Sequence, residues 1–492
     1  MNTWLDLDYV QIFQTLPDTL YSPVTPQALS NPFMVGYSPA CAKLIGLDPN
    51  TLNQDTTLKL LSGQSLLSNW QPIAMKYTGH QFGYYNPDLG DGRGVLLTQV
   101  KHDDTIWDLH LKGAGLTPYS RQGDGRAVLR SSIREFLCSE ALAALNVPTS
   151  RALCVVGTDT PVYREQVETG ATVMRISESH IRFGHFEYCS FTQQTDLLKT
   201  LCDHTIKHHF SDLLHKTNEN VYAEFFRAVL TRTAKLMAQW QSIGFAHGVM
   251  NTDNMSIIGD TFDFGPFAFL DDYDPSFICN HSDHQGRYAF NQQPNIANWN
   301  LAVLAQALLP LVDKENLVTI LETYPAIFEQ SFLENMARKL GLTGDALHHK
   351  NIIEQTLNMM KNCKLDFSYF FRKLADIHQT KTHQLLRDMC LDINAFDDWF
   401  DQYQHALAHN NQALNSNHDT ARKTRMNQVN PKYILRNYLA QNAIKAAQNG
   451  DNSQVQQLFE VLQNPFDEQP EFEEYAQLPP EWGKTLEISC SS

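Results

Sequence analysis

Residues 247–274 read H-G-V-M-N-T-D-N-M-S-I-I-G-D-T-F-D-F-G-P-F-A-F-L-D-D-Y-D, and this stretch decides how the rest of the chain is interpreted. Asn254 and Asp263 in it offer oxygen ligands of the kind that Mg²⁺ or Mn²⁺ binds. The residues between them predict a β-hairpin that turns at Gly259-Asp260 and brings the two side chains together. Such a pair suits a metal ion that bridges phosphates, although an ordinary surface hairpin also fits these residues.

The first eight residues of the stretch resemble a kinase catalytic loop with one change. Small-molecule kinases of the aminoglycoside type carry H-G-D-x-x-x-x-N, in which the Asp is the catalytic base. Here His247, Gly248 and Asn254 match, but Val249 stands where the Asp belongs. A valine accepts no proton, and Asp253 is the nearest alternative carboxylate. Either the fold is an inactive kinase, or the base has moved and the reaction differs.

The segment upstream contains further features of a nucleotide site, in the expected order. A glycine-rich turn (Gly90, Gly92, Gly94) precedes two strands, and Lys112 lies at the end of the second strand, on its polar face. Glu135 follows 23 residues later on a predicted helix, which matches the strand-Lys and helix-Glu ion pair of kinases. Each feature alone has an ordinary structural explanation, and their order is what favours nucleotide binding.

Positive charge is concentrated in the same part of the chain. Residues 91–190 carry 11 Lys+Arg against 12 Asp+Glu, whereas the rest carries 27 against 42. Nine of the 11 bases are Arg, the residue best suited to bidentate phosphate contacts, although local salt bridges explain them too. The arginines beyond a kinase's needs are Arg93, Arg126, Arg175 and Arg182.

Apolar periodicity predicts a strand-rich part followed by a helix-rich part. The predicted strands are Val95–Val100, Ile106–Lys112, Arg151–Val156, Val162–Val167 and Ala171–Ile176. The predicted helices are Val128–Leu145, Val221–Ile243, Ala297–Leu309, 316–340, 351–362, 384–410 and Pro431–Gln448. This order indicates an α+β fold and not a doubly wound sheet. We expect an N-terminal extension at 1–85, a β-rich small lobe at 86–178, an α-rich large lobe at 179–420, and a C-terminal helix with an acidic tail at 421–492.

Composition excludes several classes of protein. The 492 residues are 42% hydrophobic and 19% charged, which is too apolar for a disordered chain. A net charge of −16 argues against nucleic acid or an anionic membrane as partner. There is no signal-peptide pattern and no apolar run of membrane-spanning length. Nine scattered cysteines favour a reducing compartment, so we expect a cytoplasmic protein. We also expect a monomer.

Several long motifs together resemble the selenoprotein O family. They are Leu89–Gly94 (LGDGRG), Leu111–Ser120 (LKGAGLTPYS), Gly123–Arg126 (GDGR), His247–Asn254 and the terminal Ser489–Ser492 (SCSS), and the resemblance runs from about residue 30 to the end. It implies a kinase-like bilobal fold that binds ATP in reverse and transfers AMP to Ser, Thr or Tyr hydroxyls of proteins, and of itself. The alternatives are a kinase with a displaced base and a non-catalytic nucleotide-binding scaffold.

The resemblance also implies roles for single residues. Asp253 would be the proton acceptor, and Asn254 and Asp263 would hold Mg²⁺ or Mn²⁺. The family's redox control implies a bond between Cys279 and Cys490. The residues implied to bind ATP are Gly90, Gly92, Arg93, Lys112, Asp124, Gly125, Arg175, Arg182 and Asp263.

Overall fold

A computed structural model describes residues 2–215, 220–377, 383–409 and 416–486. The strands are β1 Asp8–Val10, β2 Tyr21–Pro23, β3 Phe33–Tyr37, β4 Ile73–Met75, β5 Gly79–Gln81, β6 Tyr84–Asn86, β7 Gly94–His102, β8 Thr105–Lys112, β9 Ala127–Val128, β10 Arg151–Tyr163, β11 Val167–Ser177, β12 Phe245–Ala246 and β13 Ala268–Phe269. The helices that begin before residue 300 are α1 Pro39–Leu44, α2 Asp55–Leu61, α3 Leu129–Ala144, α4 Phe183–Phe191, α5 Thr195–His209, α6 Val221–Ile243 and α7 Gln293–Leu308. The later helices are α8 Lys314–Leu321, α9 Tyr324–Lys339, α10 Lys350–Cys363, α11 Phe367–Leu374, α12 His383–Asp388, α13 Ile393–His409, α14 Ser416–Asn427, α15 Asn437–Gln448, α16 Ser453–Leu462 and α17 Glu481–Lys484.

The fold mixes one large antiparallel sheet with many helices. Seven strands pair in the order β2-β4-β7-β8-β11-β10-β3, and β1 and β9 pair with β7 and β11 to make nine strands in all. Four of the nine strands come from the first 85 residues, the segment predicted as an N-terminal extension. The boundaries at 85, 178 and 420 stay a prediction.

Helix α3 links the sheet to the C-terminal helices. It packs against β10 and β11, and it also contacts α15 and α16, where Phe136 stacks on Phe459 with ring centroids 5.2 Å apart. All residues of α3 except Arg130 and the last two are buried, including Glu135. Burial on both sides holds Glu135 at a fixed place behind β8 and β11.

The strand predictions are correct except in one region. The predicted strands at 95–100 and 106–112 form as β7 and β8, but the three strands predicted between 151 and 176 are two. β10 runs on to Tyr163 because an irregularity between Gly157 and Pro161 bends it without ending it. Tyr163 then pairs with Val167 to close a hairpin with β11.

The hairpin predicted between Asn254 and Asp263 is wrong. The backbone on each side of the Gly259 turn pairs with other parts of the chain: Ser256 bridges Arg182, and Thr261 bridges Thr149. These remote segments compete successfully for the same backbone groups, which a local pattern cannot reveal. The turn nevertheless leaves Asn254 and Asp263 close enough to line the same cavity.

Most helices follow the prediction, but some are divided or begin late. The helix predicted over 384–410 is divided into α12 and α13. α3 and α6 occupy their predicted positions, and α6 ends at Gly244 in the left-handed conformation. The helix predicted over 316–340 is divided into α8 and α9, because Pro325 begins a new first turn. The helix predicted from Pro431 begins only at Asn437. None of the helices in the described ranges is long and apolar enough to cross a membrane.

A lysine buried in the helical core makes stability depend on pH. The Lys339 ammonium lies 4.5 Å from the ring centre of Phe371 and 5.4 Å from that of Phe367, and burial lowers its pKa to about 7. An unfolded chain holds this proton up to its ordinary pKa of about 10.4. Between these values the unfolded state binds more protons, so the free energy of unfolding rises with pH.

We expect Lys339→Met to increase the free energy of unfolding at pH 7 by about 1–3 kcal/mol, because it removes a buried charge and keeps the volume. The gain should shrink as the pH approaches the ordinary pKa of lysine. Urea unfolding at neutral and alkaline pH measures it, with the exposed Lys235→Met as the control. An identical pH dependence in Lys339→Met and wild type would show that this ammonium does not titrate on unfolding.

Candidate active site

A cavity of about 500 Å³ lies where the glycine-rich segment 89–94, the ends of β8 and β11, and the 247–266 stretch meet. It is lined by all the residues implied to bind ATP or a metal, and by the implied base. These are Gly90, Gly92, Arg93, Lys112, Asp124, Gly125, Arg175, Arg182, Asp253, Asn254 and Asp263. Sequence positions up to 173 residues apart thus share one site.

A chain of buried ion pairs runs along the floor of this cavity. Lys112 and Arg175 both donate to the carboxylate of Glu135, one to each oxygen. Arg175 also contacts Asp263, with 2.8 Å between Nη2 and Oδ1, and Arg182 pairs with the other oxygen of Asp263. Cations and carboxylates therefore alternate from β8, through α3 and β11, to the D-F-G segment.

This arrangement keeps every member charged. Burial favours the neutral form of Glu135, but Arg175 and Lys112 hold its pKa at about 2. Asp263 behaves likewise, because Arg182 and Arg175 hold its pKa well below the ordinary value despite burial. Burial lowers the pKa of Lys112 to about 8, with Glu135 opposing the shift. Because the three cations (Lys112, Arg175 and Arg182) outnumber the two carboxylates they contact, part of their charge is available to an anion.

Cations predominate around the whole cavity. Seven basic side chains and four carboxylates line it. The basic ones are Arg93, Lys112, Arg121, Arg126, Arg164, Arg175 and Arg182. In a chain of net charge −16, such a local excess favours a polyanionic ligand such as a triphosphate.

The glycine-rich loops bring their backbone close to this cavity. At Gly125, with φ +68°, a Cβ would lie 2.0 Å from the carbonyl oxygen of Gly115, so no other residue fits there. Asp124 beside it accepts from both terminal nitrogens of Arg164, at 2.8 and 3.0 Å. Arg126 is directed elsewhere, since its guanidinium donates to the carbonyl of Gln27 at 2.9 Å.

Asp253 combines burial with an unsatisfied oxygen. It lies in a 3₁₀ turn at Thr252–Asn254, where its backbone carbonyl accepts from Arg182 Nη1 at 2.7 Å. Its Oδ2 accepts from Gln81 Nε2 at 3.1 Å, while its buried Oδ1 has no hydrogen-bond partner among the described residues. Burial raises the pKa of this carboxyl to about 7, with Arg182 and Gln81 opposing the shift. A carboxylate in this condition is suited to accept a proton.

The rest of the 247–254 loop is held rigidly in place. His247 stacks on Trp240, with ring centroids 5.3 Å apart, and its Nε2 donates to the carbonyl of Phe262 at 2.9 Å. Gly248, with φ +82°, leaves no space for a Cβ against Cys279. Val249 lines the cavity but offers it only methyl groups. Val249 therefore supplies no group that could accept a proton.

Two oxygen ligands at the cavity fit a divalent cation. Asn254 Nδ2 donates to the carbonyl of Val249 at 3.0 Å, so the amide oxygen is the atom left to a cation. Asp263 is ionised and has φ +62°, a left-handed conformation that is strained for a residue with a Cβ. An amide oxygen and a carboxylate are hard ligands that suit Mg²⁺ or Mn²⁺.

Sequence reasoning missed Gln81, which contacts the candidate base directly. It lies on β5 of a small hairpin formed by β5 and β6. Gly79 on this hairpin lies so close to the catalytic loop that a Cβ there would be 3.1 Å from the Asp253 Cβ. Gly79 and the polar residues that follow it at 80–81 could have indicated a functional segment. They could not have indicated that Gln81 contacts Asp253, which is 172 positions away.

Gln81→Leu should lower kcat about 10-fold or more and leave the KM for ATP unchanged. The substitution removes a hydrogen bond to a charged group, which contributes about 1.5–3 kcal/mol. Steady-state kinetics with varied ATP separates the two constants. Asn86→Ala, which removes the donor to Gln81 Oε1, should have a smaller effect in the same direction. A raised KM with normal kcat would instead place Gln81 in contact with the nucleotide.

Cys279 is buried against the catalytic loop, with its Sγ 3.5 Å from the carbonyl oxygen of Ala246. Cys490, its implied partner, lies outside the described residues. The pairing of the two stays a prediction.

Comparison with known proteins identifies the family of the chain. A family model described as "Protein adenylyltransferase SelO" matches residues 3–463. A protein of Azotobacter vinelandii named "Protein nucleotidyltransferase YdiU" is 51% identical over 488 residues, 99% of each chain. Proteins of the same name from Vibrio parahaemolyticus and Pseudomonas aeruginosa are 50% and 49% identical over 497 and 488 residues, which cover 99–100% of each chain. The chain therefore belongs to the SelO family of protein adenylyltransferases.

Proposed function

We propose that this chain transfers AMP from ATP to Ser, Thr or Tyr hydroxyls of proteins, and of itself, with release of pyrophosphate. The observation that carries the proposal is the placement of Asp253. Its unpartnered Oδ1 lies at a cavity lined with arginines, while Val249 occupies the place of the kinase base. If Asp253 is the base in place of residue 249, the phosphate that reacts lies at a different position from the one in a kinase.

The proposed reaction is a displacement at the α-phosphorus of ATP. The acceptor oxygen bonds to this phosphorus as its proton passes to Asp253 Oδ1, and the bond from the α-phosphorus to the bridging oxygen of the β-phosphate breaks. The electron pair of that bond leaves with pyrophosphate. Arg175 and Arg182, both fixed by Asp263, are placed to stabilise the charge of the leaving group.

Asn254 and Asp263 would hold the Mg²⁺ or Mn²⁺ ion that nucleotide transfer needs. When bound, the ion would neutralise phosphate charge and act as a Lewis acid. The protein's own contribution is to keep Asp263 ionised between two arginines and to turn the Asn254 oxygen outward. Metal dependence is tested by activity with and without a chelator, followed by restoration with each ion.

The overall architecture is proposed to be bilobal and kinase-like. The nine-stranded sheet with α3 would form the small lobe, and the helices from α4 to α13 the large one, with the cavity at their junction and the C-terminal region 421–492 outside both. The ion pair between Lys112 on a strand and Glu135 on a helix supports this assignment, as does the D-F-G segment that follows later in the chain. Kinases carry a strand lysine, a helix glutamate and a D-F-G segment in the same order. We propose a monomer with protein substrates.

Labelled ATP distinguishes the proposal from its alternatives. Label on the α-phosphate should enter protein hydroxyls, with pyrophosphate as the second product. Transfer only from the γ-phosphate would establish a kinase that uses Asp253 as a displaced base. ATP binding with no transfer from either position would establish a non-catalytic scaffold.

We also propose that Cys279 and Cys490 form a redox-sensitive bond. The described chain ends at Leu486, and Lys484 near this end pairs with Asp272 at 2.9 Å, seven residues before Cys279. The tail is thus already attached to the segment that carries the first cysteine. Equal protease sensitivity of the tail in oxidised and reduced protein would contradict this bond.

A further inference from the structure

A groove of about 910 Å³ lies beside the catalytic loop, outside the nucleotide cavity. One wall is the tip of the β5–β6 hairpin, with Phe82 and Tyr84, and the other is the 276–292 segment, with Ile278 and Arg287. We call it the hairpin groove. The three apolar side chains are exposed in an otherwise folded surface: Phe82 to 39%, Tyr84 to 82% and Ile278 to 41%.

The tip of the hairpin is held in an unfavourable conformation. Phe82 and Gly83 have φ values of +51° and +86°, the two left-handed residues of a type I′ turn. Asn, Asp or Gly ordinarily occupies the first of these positions, and an exposed Phe there costs both strain and solvation free energy. Because Phe82 is exposed despite this unfavourable free energy, its side chain is a candidate for contact with a ligand.

Direct hydrogen bonds connect the wall of the hairpin groove to the 247–254 loop. The backbone N–H of Phe82 donates to Asn251 Oδ1 at 3.2 Å and to the Tyr288 hydroxyl at 3.1 Å. The Tyr288 hydroxyl donates to the same Asn251 oxygen at 2.6 Å. Gln81, the residue before Phe82, holds Asp253. Neighbouring residues of one hairpin therefore form the groove wall and contact the candidate base.

The charge of the groove also indicates its occupant. Among the described residues that line it there is no Asp or Glu, and Arg287 supplies a positive charge. The Arg287 guanidinium is fixed 4.8 Å from the ring centre of Trp299, and a Cβ on Gly83 would be 3.4 Å from it. In a chain of net charge −16, this patch favours an acidic partner.

We propose that the hairpin groove binds the segment of a protein substrate next to the acceptor hydroxyl, and selects an apolar residue together with an acidic one. The apolar residue packs between Phe82, Tyr84 and Ile278, and the acidic residue pairs with Arg287. This inference rests on the proposed adenylyl transfer, for which it names the substrate class. It requires no new chemistry, only a contact that positions the hydroxyl at Asp253.

A peptide library tests the proposal. Decapeptides with a central Thr and randomised neighbours are incubated with full-length enzyme and ATP labelled on the α-phosphate. Wild type should favour Asp or Glu with an apolar neighbour over Lys or Arg at least several-fold. Arg287→Glu should reverse the charge preference, and Tyr84→Ala should weaken the apolar preference. Arg338→Glu, an exposed arginine on α9, is the matched control and should behave as wild type.

Three outcomes would overturn the inference, and they are distinguishable. An unchanged charge preference in Arg287→Glu, with normal transfer, excludes the groove but leaves adenylyl transfer intact. A wild type that labels no peptide and no protein contradicts the proposed function itself, and the groove's role with it. A concentration-dependent dimer of wild type that Tyr84→Ala dissociates would assign the groove to a second copy of the chain.

Discussion

Asp253→Asn should reduce AMP transfer to protein by about 10²–10⁴-fold, the usual contribution of a general base. The substitution keeps the size of the side chain, and its amide oxygen can still accept from Gln81. ATP binding should be as tight as in wild type or tighter, because a negative charge is removed from the cavity. Single-turnover transfer from α-labelled ATP, together with equilibrium ATP binding, measures both effects.

Asp260→Asn is the matched control. Asp260 is a partly buried carboxyl in the same stretch, and desolvation raises its pKa to about 6, yet it lies outside the cavity lining and accepts from Ser177 at 3.0 Å. A raised pKa is therefore common to both residues, and the position relative to the cavity differs. Equal transfer rates in Asp253→Asn and wild type would show that another group removes the proton.

Glu135→Gln should cost both stability and activity. Its carboxylate holds Lys112 and Arg175 together, and the amide would leave two buried cations facing a dipole. Loss of one partner in such a pair costs about 3–5 kcal/mol. Because Arg175 would also lose its fixed position at Asp263, we expect kcat/KM to fall about 100-fold or more. Urea unfolding and transfer kinetics on the folded fraction measure the two losses.

The same helix supplies the control, Glu140→Gln. Glu140 is equally buried, pairs with Arg151 at 2.7 Å and accepts from Ser38 at 2.6 Å, away from the cavity. Its substitution should lower the free energy of unfolding by a similar amount and leave transfer by the folded enzyme unchanged. If Glu135→Gln and Glu140→Gln both lost activity only as far as their folded fraction fell, the ion pairs of Glu135 would have a purely structural role.

Much of this site was predictable because its residues carry local signals. Val249 in place of an Asp, the glycine runs and the strand position of Lys112 are all visible in short windows of sequence. The family resemblance then assigned roles to residues whose spacing alone was ambiguous. The structure brings those residues to one cavity.

What the sequence did not reveal depends on long-range contacts. The hairpin expected at Gly259 fails because Ser256 and Thr261 pair with residues from other segments. Gln81 reaches Asp253 across 172 positions, and no periodicity predicts such a pair. The left-handed conformation of Phe82 is also imposed by tertiary contacts, since an aromatic residue does not favour it.

The orientation of the bound nucleotide tests the central claim most directly. A crystal structure with a non-hydrolysable ATP analogue and Mg²⁺ shows which phosphate lies at Asp253. We predict the α-phosphate there, with the β- and γ-phosphates on the Arg175 and Arg182 side of the cavity. A γ-phosphate beside Asp253, with the α-phosphate remote from it, would contradict adenylyl transfer by this site.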